Sequence, residues 1–252
     1  SIRQHAINIY GRDTTPKLEY IEMRASNLCN FACQMCNKDN SSLISGEVEN
    51  ISEENWQQVL KNTKDLNTVI LTGGEPLLIK RYYELLDYLI EHDKQNDITL
   101  RIYTNCSVYN PSFIDKLSKF KKCHLNMSID GVEHTAEMQR TNTVWKVVDQ
   151  NIRKFCSLPI NLKFHSTLTN INILDIDRLV EYFIEIKSIR PDINFAAHSI
   201  GRPQHLLISS LHPSLKHIAI AKLDKAISMM EDKCFDQFRT QLENNRKIIQ
   251  NL

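Results

Sequence analysis

The chain has 252 residues, 42 % of them hydrophobic and 24 % charged, with a formal net charge of +1. This is an ordinary globular composition, long enough for one large α/β domain or two small ones. A charge so close to neutral gives no long-range attraction to nucleic acid or membranes. No apolar run approaches the roughly 18 residues of a membrane span, and the polar start SIRQH is not typical of a signal peptide. We expect a cytoplasmic protein without nucleic-acid or membrane partners.

Short β-branched runs alternate with longer amphipathic patterns, which indicates repeated βα units and a parallel sheet. Strands are predicted near residues 18–25, 66–72, 98–104, 124–130, 161–169 and 193–198. Helices are predicted near residues 53–62, 82–91, from Pro111, in a stretch ending at Leu158, over 176–186, and twice in the tail from Pro213. Six βα units in about 200 residues predict an α/β fold, a partial (βα)6 TIM-type barrel with parallel strands, because a full barrel needs about 250.

The predicted organisation has three parts. Residues 1–16 form an N-terminal extension, residues 17–200 the partial barrel and residues 201–252 a C-terminal helical segment. Within the barrel part, Ser52 is predicted to cap the first long helix.

Three cysteines follow the first predicted strand, at Cys29, Cys33 and Cys36. Their C-x3-C-x2-C spacing on one short loop lets the three thiols converge on a single metal site. Cubane iron–sulfur clusters are held by Cys thiolates, one per iron, so three thiolates leave one iron free for another ligand. Structural zinc would want a fourth protein ligand, and the next histidine is His92. A redox pair or a zinc site stays open on spacing alone.

A second motif, Thr72-Gly73-Gly74-Glu75-Pro76, follows the second predicted strand and precedes a helix. It is not a phosphate-binding P-loop, because no Gly-Lys-Ser/Thr ends it. Two glycines let the backbone approach a ligand closely, and Glu75 lies at the carboxyl end of a strand, where barrel enzymes place their sites. A glycine turn closed by proline explains the same residues without a ligand.

The run SNLCNFACQMC around the cysteines resembles the signature of the radical S-adenosylmethionine (SAM) superfamily. The residues between and around these cysteines are similar to those of the SPASM or twitch branch. The resemblance implies a [4Fe–4S] cluster on Cys29, Cys33 and Cys36 whose open iron is chelated by SAM. An electron then splits SAM into methionine and a 5′-deoxyadenosyl radical, which takes a hydrogen atom from a substrate. Because this requires a low potential, an external one-electron reductant, flavodoxin- or ferredoxin-like, is also implied.

The same resemblance assigns contacts to SAM. The match to GGEP is letter for letter and implies contact with the SAM amino group, while the run N-M-S-I-D-G implies a contact with the ribose. An arginine downstream matches one that approaches the SAM carboxylate, and a methionine stands where an aromatic residue often covers the adenine. The predicted cofactor-binding residues are therefore Met35, Gly73, Gly74, Glu75, Pro76, Ser128, Asp130 and Arg140.

Side chains alternate along each predicted strand, so apolar rows pack outward under helices and polar rows line the lumen. The polar rows predict contacts between a polar substrate and Arg101, Lys163, His165 and His198. A structural ion pair of Glu22 with Arg101 or Lys163 explains part of the same pattern, since buried charges need partners.

The substrate class and the number of clusters are predicted from the sequence around the cysteines and from the positions of the other cysteines. No cysteine lies between Cys156 and Cys234, so we expect one cluster. The resemblance of the cysteine motif to the SPASM branch favours a peptide or protein substrate. The polar interior is also compatible with a nucleotide or sugar-nucleotide, which is the alternative. A non-catalytic iron–sulfur or zinc-binding protein is the alternative from a different class.

Overall fold

The structure, a computed structural model, describes residues 17–251, so the predicted extension 1–16 lies outside the described residues. Six strands form one sheet in which every neighbouring pair is parallel. In order across the sheet they are β1 (Tyr20–Met23), β3 (Thr68–Leu71), β4 (Thr99–Thr104), β5 (Lys122–Ser128), β7 (Asn161–Leu168) and β8 (Asn194–Ser199). This order follows the chain, as in a TIM-type barrel cut short after six units, and the predicted partial barrel is confirmed.

The helices connect successive strands and then continue past the last one. They are α1 (Ser42–Ser45), α2 (Glu53–Lys61), α3 (Lys80–Glu91), α4 (Pro111–Ser118), α5 (Glu133–Gln139), α6 (Trp145–Phe155), α7 (Ile176–Ile189), α8 (Lys216–Met229) and α9 (Asp236–Gln250). Ser52 caps α2 as predicted, its side chain accepting a hydrogen bond from the Asn55 N–H. Within residues 17–251, none of the helices is long and apolar enough to cross a bilayer.

A second, two-stranded sheet was not predicted. It pairs β2 (Ala32–Cys33) antiparallel with β6 (Arg140–Thr141). Strand β6 interrupts the helical stretch that the sequence predicted up to Leu158, dividing it into α5 and α6. Two residues per strand are too few to show any periodicity, so this pairing could not be read from the sequence. It joins the Cys loop to the segment that carries Arg140.

The predicted division between an apolar outer row and a polar inner row is confirmed. On β7, Leu162, Phe164 and Leu168 are buried, whereas Lys163 and His165 between them are half-buried. The buried row packs under the helices; the Phe164 ring, for example, stacks on Phe183 of α7. The polar row therefore faces the inside of the partial barrel.

The two C-terminal helices extend the core beyond β8. The ring of Phe195 on β8 stacks on Phe235, which immediately precedes α9, and the Ser199 hydroxyl donates to Asn245 of α9 at 2.9 Å. Helix α9 therefore packs beside β8, the last strand of the parallel sheet. The domain division at residue 201 stays a prediction.

Tyr82 of α3 ties the carboxyl ends of β1 and β3 together. Its hydroxyl accepts from the Ala25 N–H at 3.0 Å and lies 2.8 Å from the Met23 carbonyl oxygen and 2.7 Å from that of Thr72. The side chain is fully buried. The hydroxyl thus pairs backbone groups at the point where the two site-bearing loops leave the sheet.

We expect Tyr82→Phe to lower the free energy of unfolding by about 1–3 kcal/mol, because it leaves the buried Ala25 N–H without an acceptor. Urea unfolding measures the effect. Tyr88→Phe is the matched control, since the Tyr88 ring stacks on His92 and that contact survives. Equal stability of the two variants would contradict the role given to the Tyr82 hydroxyl.

Candidate active site

The predicted site residues meet at one edge of the sheet. The Cys loop follows β1, the GGEP turn follows β3, Asn105 follows β4 and Asp130 lies two residues beyond β5. Because all these strands are parallel, their carboxyl ends share one edge, where barrel enzymes place their sites.

Short polar side chains hold the Cys loop in shape. Asn27 accepts from the Glu49 N–H through its side-chain oxygen at 2.8 Å and donates to the Glu47 carbonyl at 3.2 Å. The Ser41 hydroxyl donates to the Phe31 carbonyl at 2.7 Å. The loop therefore keeps its shape by hydrogen bonds to the following segment, and sequence analysis missed these residues.

The three thiols of this loop are free and half-buried. Burial raises the pKa of the Cys29 thiol to about 12 and also raises the pKa of Cys33 and Cys36. Metal-free thiols at such a site are protonated at neutral pH, so metal binding there releases protons.

The chemistry of the three thiols suits a cluster. Within residues 17–251, no three His, Cys, Asp or Glu side chains converge as the ligands of one metal ion would. In a cubane each thiolate binds a different iron, so the sulfurs stand further apart than the ligands of a single ion. Three free thiols on one loop are a donor set that such a cluster can use.

The two glycines of GGEP approach the Cys loop itself. A Cβ on Gly74 would lie 2.0 Å from the Leu28 carbonyl oxygen, and one on Gly73 would lie 2.5 Å from that of Ser26, with φ at Gly73 of +104°. The Gly74 N–H donates to the Ser26 carbonyl at 3.0 Å. The absence of side chains therefore serves backbone packing between two loops, in addition to any approach to a ligand.

Glu75 is buried, 1 % exposed, and accepts three hydrogen bonds from the chain. Its Oε1 accepts from the Leu77 N–H at 3.2 Å and the Thr104 hydroxyl at 2.7 Å, and its Oε2 accepts from the Asn105 N–H at 2.7 Å. A carboxylate offers about four acceptor positions, so one on Oε2 is left for a ligand. Burial raises the pKa of Glu75 to about 7, although these hydrogen bonds lower it.

The raised pKa gives Glu75 a pH-dependent effect on stability. With a pKa of about 7 in the folded protein against 4.5 unfolded, the folded state holds the proton more tightly. The contribution is full below pH 4.5 and is lost as the pH rises through 7, by about 3 kcal/mol. We expect Glu75→Gln to remove this dependence, so that between pH 5 and pH 8 the unfolding free energy of the wild type falls by about 2–3 kcal/mol relative to that of the variant. Urea unfolding of the metal-free protein measures it, and a wild type that gains stability relative to the variant as the pH rises would contradict the assignment.

Asp130 and Arg140 pair with each other at the carboxyl-terminal end of the lumen, here called its mouth. The guanidinium lies 2.6 Å from the buried Asp130 carboxylate, and another of its N–H groups lies 3.9 Å from the Cys33 sulfur. The second Asp130 oxygen accepts from the Thr167 N–H at 2.7 Å. Asp130 therefore orients the arginine beside the Cys loop, and a guanidinium with five donors still has some available for a ligand.

The remaining predicted cofactor contacts lie around the same mouth. Ser128 is half-buried and lines a small cavity of about 10 Å³ together with Asp130 and Arg140. Met35 is half-buried at the tip of the turn between Cys33 and Cys36. Pro76 begins the short 3₁₀ helix that Glu75 caps.

Asn105 is a further residue of the site, although it was not among the predicted contacts. Its side-chain N–H donates to Asn30 of the Cys loop at 3.1 Å and lies 4.0 Å from the Cys29 sulfur. The Thr104-Asn105-Cys106 run, at the end of a predicted strand, was the available signal.

The predicted substrate contacts line the lumen below this mouth. Lys163 donates to Gln237 of α9 at 3.2 Å, and the His165 and His198 rings lie 4.9 Å apart. Arg101 is exposed and lies beside His124 in the sheet register.

The predicted pairing of Glu22 with Arg101 or Lys163 is wrong. The Glu22 carboxylate lies 3.6 Å from Arg24 on the same segment. Because β1 is at an open edge of the partial barrel, Glu22 stays exposed to solvent and needs no partner from across the lumen.

These features together define a partial-barrel enzyme with a three-cysteine loop at the carboxyl ends of its strands. The model of the radical SAM superfamily matches residues 23–203, and the chain belongs to this superfamily. Enzymes of this family use a [4Fe–4S] cluster and SAM and need an electron donor. The finer assignment to the SPASM or twitch branch stays a prediction.

Curated relatives and solved structures are similar over much of the chain. The GTP 3′,8-cyclase of Nautilia profundicola is 28 % identical over 170 residues, which is 64 % of this chain and 52 % of that protein. That of Campylobacter lari is 27 % identical over 180 residues, 70 % of this chain and 54 % of the relative. The chain thus spans about half the length of these relatives.

Among solved structures, anSMEcpe with bound AdoMet and the Cp18Cys peptide has a TM-score of 0.61 at 19 % identity, covering 92 % of this chain and 62 % of that one. SuiB of Streptococcus suis bound to S-adenosylmethionine has a TM-score of 0.62 at 14 % identity, covering 92 % and 52 %. At such identities the likeness shows the shared fold.

Proposed function

We propose that Cys29, Cys33 and Cys36 hold a [4Fe–4S] cluster at which SAM is reductively cleaved, and that a polar substrate bound in the lumen loses a hydrogen atom. The single observation that carries this proposal is the meeting of the three-thiol loop, the GGEP turn and the Asp130–Arg140 pair at one edge of the sheet. When bound, the cluster supplies the electron that cleaves SAM into methionine and a 5′-deoxyadenosyl radical.

The chain's own residues bind and orient the cofactor in this proposal. Arg140, held by Asp130, offers its remaining donors to the SAM carboxylate. The free acceptor position on Glu75 would accept from the amino group of SAM, and Ser128 would contact its ribose. Met35 would cover the adenine and keep water from that side.

The electron donor proposed is an external flavodoxin- or ferredoxin-like protein. Cys36 lies on the exposed side of the Cys loop, next to the exposed residues Asn37, Lys38 and Asp39. This exposure supports an electron path that reaches the cluster from solvent rather than through the lumen.

Two substrate classes fit the polar lumen. A peptide or protein is supported by the SPASM-like cysteine motif and by the fold shared with anSMEcpe and SuiB, both solved with peptides. A nucleotide is supported by the relatives named GTP 3′,8-cyclase and by the basic side chains of the lumen.

The test is anaerobic reconstitution with iron and sulfide, followed by SAM and dithionite. We expect broad visible absorbance, about four irons per chain and release of 5′-deoxyadenosine detected by mass spectrometry. Colourless protein that retains zinc would support the non-catalytic alternative, and about eight irons per chain would overturn the single cluster.

A further inference from the structure

A polar cavity of about 460 Å³ lies at the amino-terminal half of the lumen, away from the Cys loop. Strands β5, β7 and β8 form one wall, and the segment leading into α9 forms the other. The side chains that matter here are His124, Asn126, Lys163, Asn194, Lys233 and Gln237.

The charge of this cavity is mainly positive. Lys163 and Lys233 line it, His124 lies beside Arg101 in the sheet register, and one carboxylate, the exposed Asp236, also lines it. Among the ion pairs formed between residues 17–251, none involves the two lining lysines, Lys163 and Lys233. Their charges are therefore available to a ligand.

The basic groups also act on one another. Burial lowers the pKa of Lys163 and of His124, and the nearby charge of Arg101 lowers both further. Burial and the neighbouring His198 and Lys163 likewise lower the pKa of His165. A bound polyanion would relieve this repulsion, whereas a neutral or cationic ligand would not.

We infer that this cavity binds the phosphate groups of a phosphorylated small-molecule substrate, whose other end reaches up the lumen to the Cys loop. The inference rests on the proposed function and names its substrate class. Phosphate groups carry more charge than a single carboxylate and match Arg and Lys donors, and the cavity is larger than one carboxylate needs.

The length of the lumen fits such a substrate. Lys163 is four residues before Thr167, whose N–H binds Asp130 at the mouth. At 3.3 Å per residue along the strand, Lys163 and Thr167 are about 13 Å apart. A nucleoside with two or three phosphates can span this length, placing its nucleoside near the mouth while its phosphates lie at the basic cavity.

The test is calorimetric binding to the anaerobically reconstituted protein, with GTP, inorganic pyrophosphate, guanosine and a glutamate-rich peptide as probes. We expect GTP and pyrophosphate to bind, with affinity falling as salt rises, and guanosine to bind far more weakly. Lys163→Gln and Lys233→Gln should each weaken GTP binding about tenfold or more, as expected for a charged hydrogen bond. Lys247→Gln, which removes the same charge from an exposed position of α9, should leave it unchanged.

Two outcomes would overturn the inference: GTP affinity unaffected by the lumen variants, or the acidic peptide binding more tightly than pyrophosphate in a manner that those variants weaken. Circular dichroism of each variant checks that it is folded. SAM cleavage is measured on the same preparations, so the two proposals fail separately. If the protein cleaves SAM but does not bind phosphates, this inference alone is contradicted. If it binds phosphates but does not cleave SAM, the proposed function alone is contradicted.

Discussion

Replacing Cys33 with alanine is expected to abolish cluster assembly and SAM cleavage. Cys33 lies on β2, paired with the strand that carries Arg140, and its sulfur is within 3.9 Å of that guanidinium. With two thiolates left, a cubane would lack a protein ligand on a second iron. Reconstituted Cys33→Ala should lose the visible absorbance and the iron, and release 5′-deoxyadenosine only at the level of iron-free protein.

The matched control for this experiment is Cys234→Ala. Cys234 is also a free, half-buried thiol, but it lies just before α9 at the other end of the lumen. Its replacement should leave the iron content and the cleavage rate unchanged. A Cys33→Ala protein that retains full iron content, or a Cys234→Ala protein that loses it, would contradict the proposed ligand set.

Replacing Gly74 with alanine is expected to disrupt the contact between the GGEP turn and the Cys loop. The new Cβ would lie 2.0 Å from the Leu28 carbonyl oxygen, which is backbone and cannot rotate away. Either the turn or the Cys loop must move, and we expect a loss of about 3 kcal/mol in the free energy of unfolding. Urea unfolding of metal-free protein measures this, and iron uptake by the same variant reports the displaced loop.

Gly201→Ala is the control for Gly74→Ala. A Cβ at Gly201 would meet nothing within 4 Å, so this substitution should change stability by less than about 0.5 kcal/mol. If Gly74→Ala proved as stable as Gly201→Ala and took up iron normally, the close packing of the two loops would not be needed for the site.

Local sequence signals were sufficient for most elements. The alternation of apolar and polar residues on the strand of Lys163 and His165 was correct because one face of that strand is buried under α7. Helix starts with a strong local signal, such as Ser52 before α2 and Pro111 at α4, were also located correctly. Such features depend on neighbours a few residues away, which the sequence shows directly.

Contacts between distant segments were the part that could not be predicted. The β2–β6 pairing joins residues more than a hundred positions apart with two residues per strand. The exposure of Glu22 at an open edge likewise depends on where whole strands lie. Asp130 and Arg140 are only ten positions apart, but their pairing depends on how the chain turns through α5.

By itself, the sequence determined the family, the three thiols and the alternation that places polar side chains inside a partial barrel. Tertiary structure alone decided that the GGEP glycines pack against the Cys loop, that Asp130 holds Arg140, and that Lys163 and His124 share one cavity with the start of α9. The physical reason is that motifs and periodicity are properties of adjacent residues. The clearance between two backbone loops and the shape of a cavity arise only when segments far apart in the chain are brought into contact.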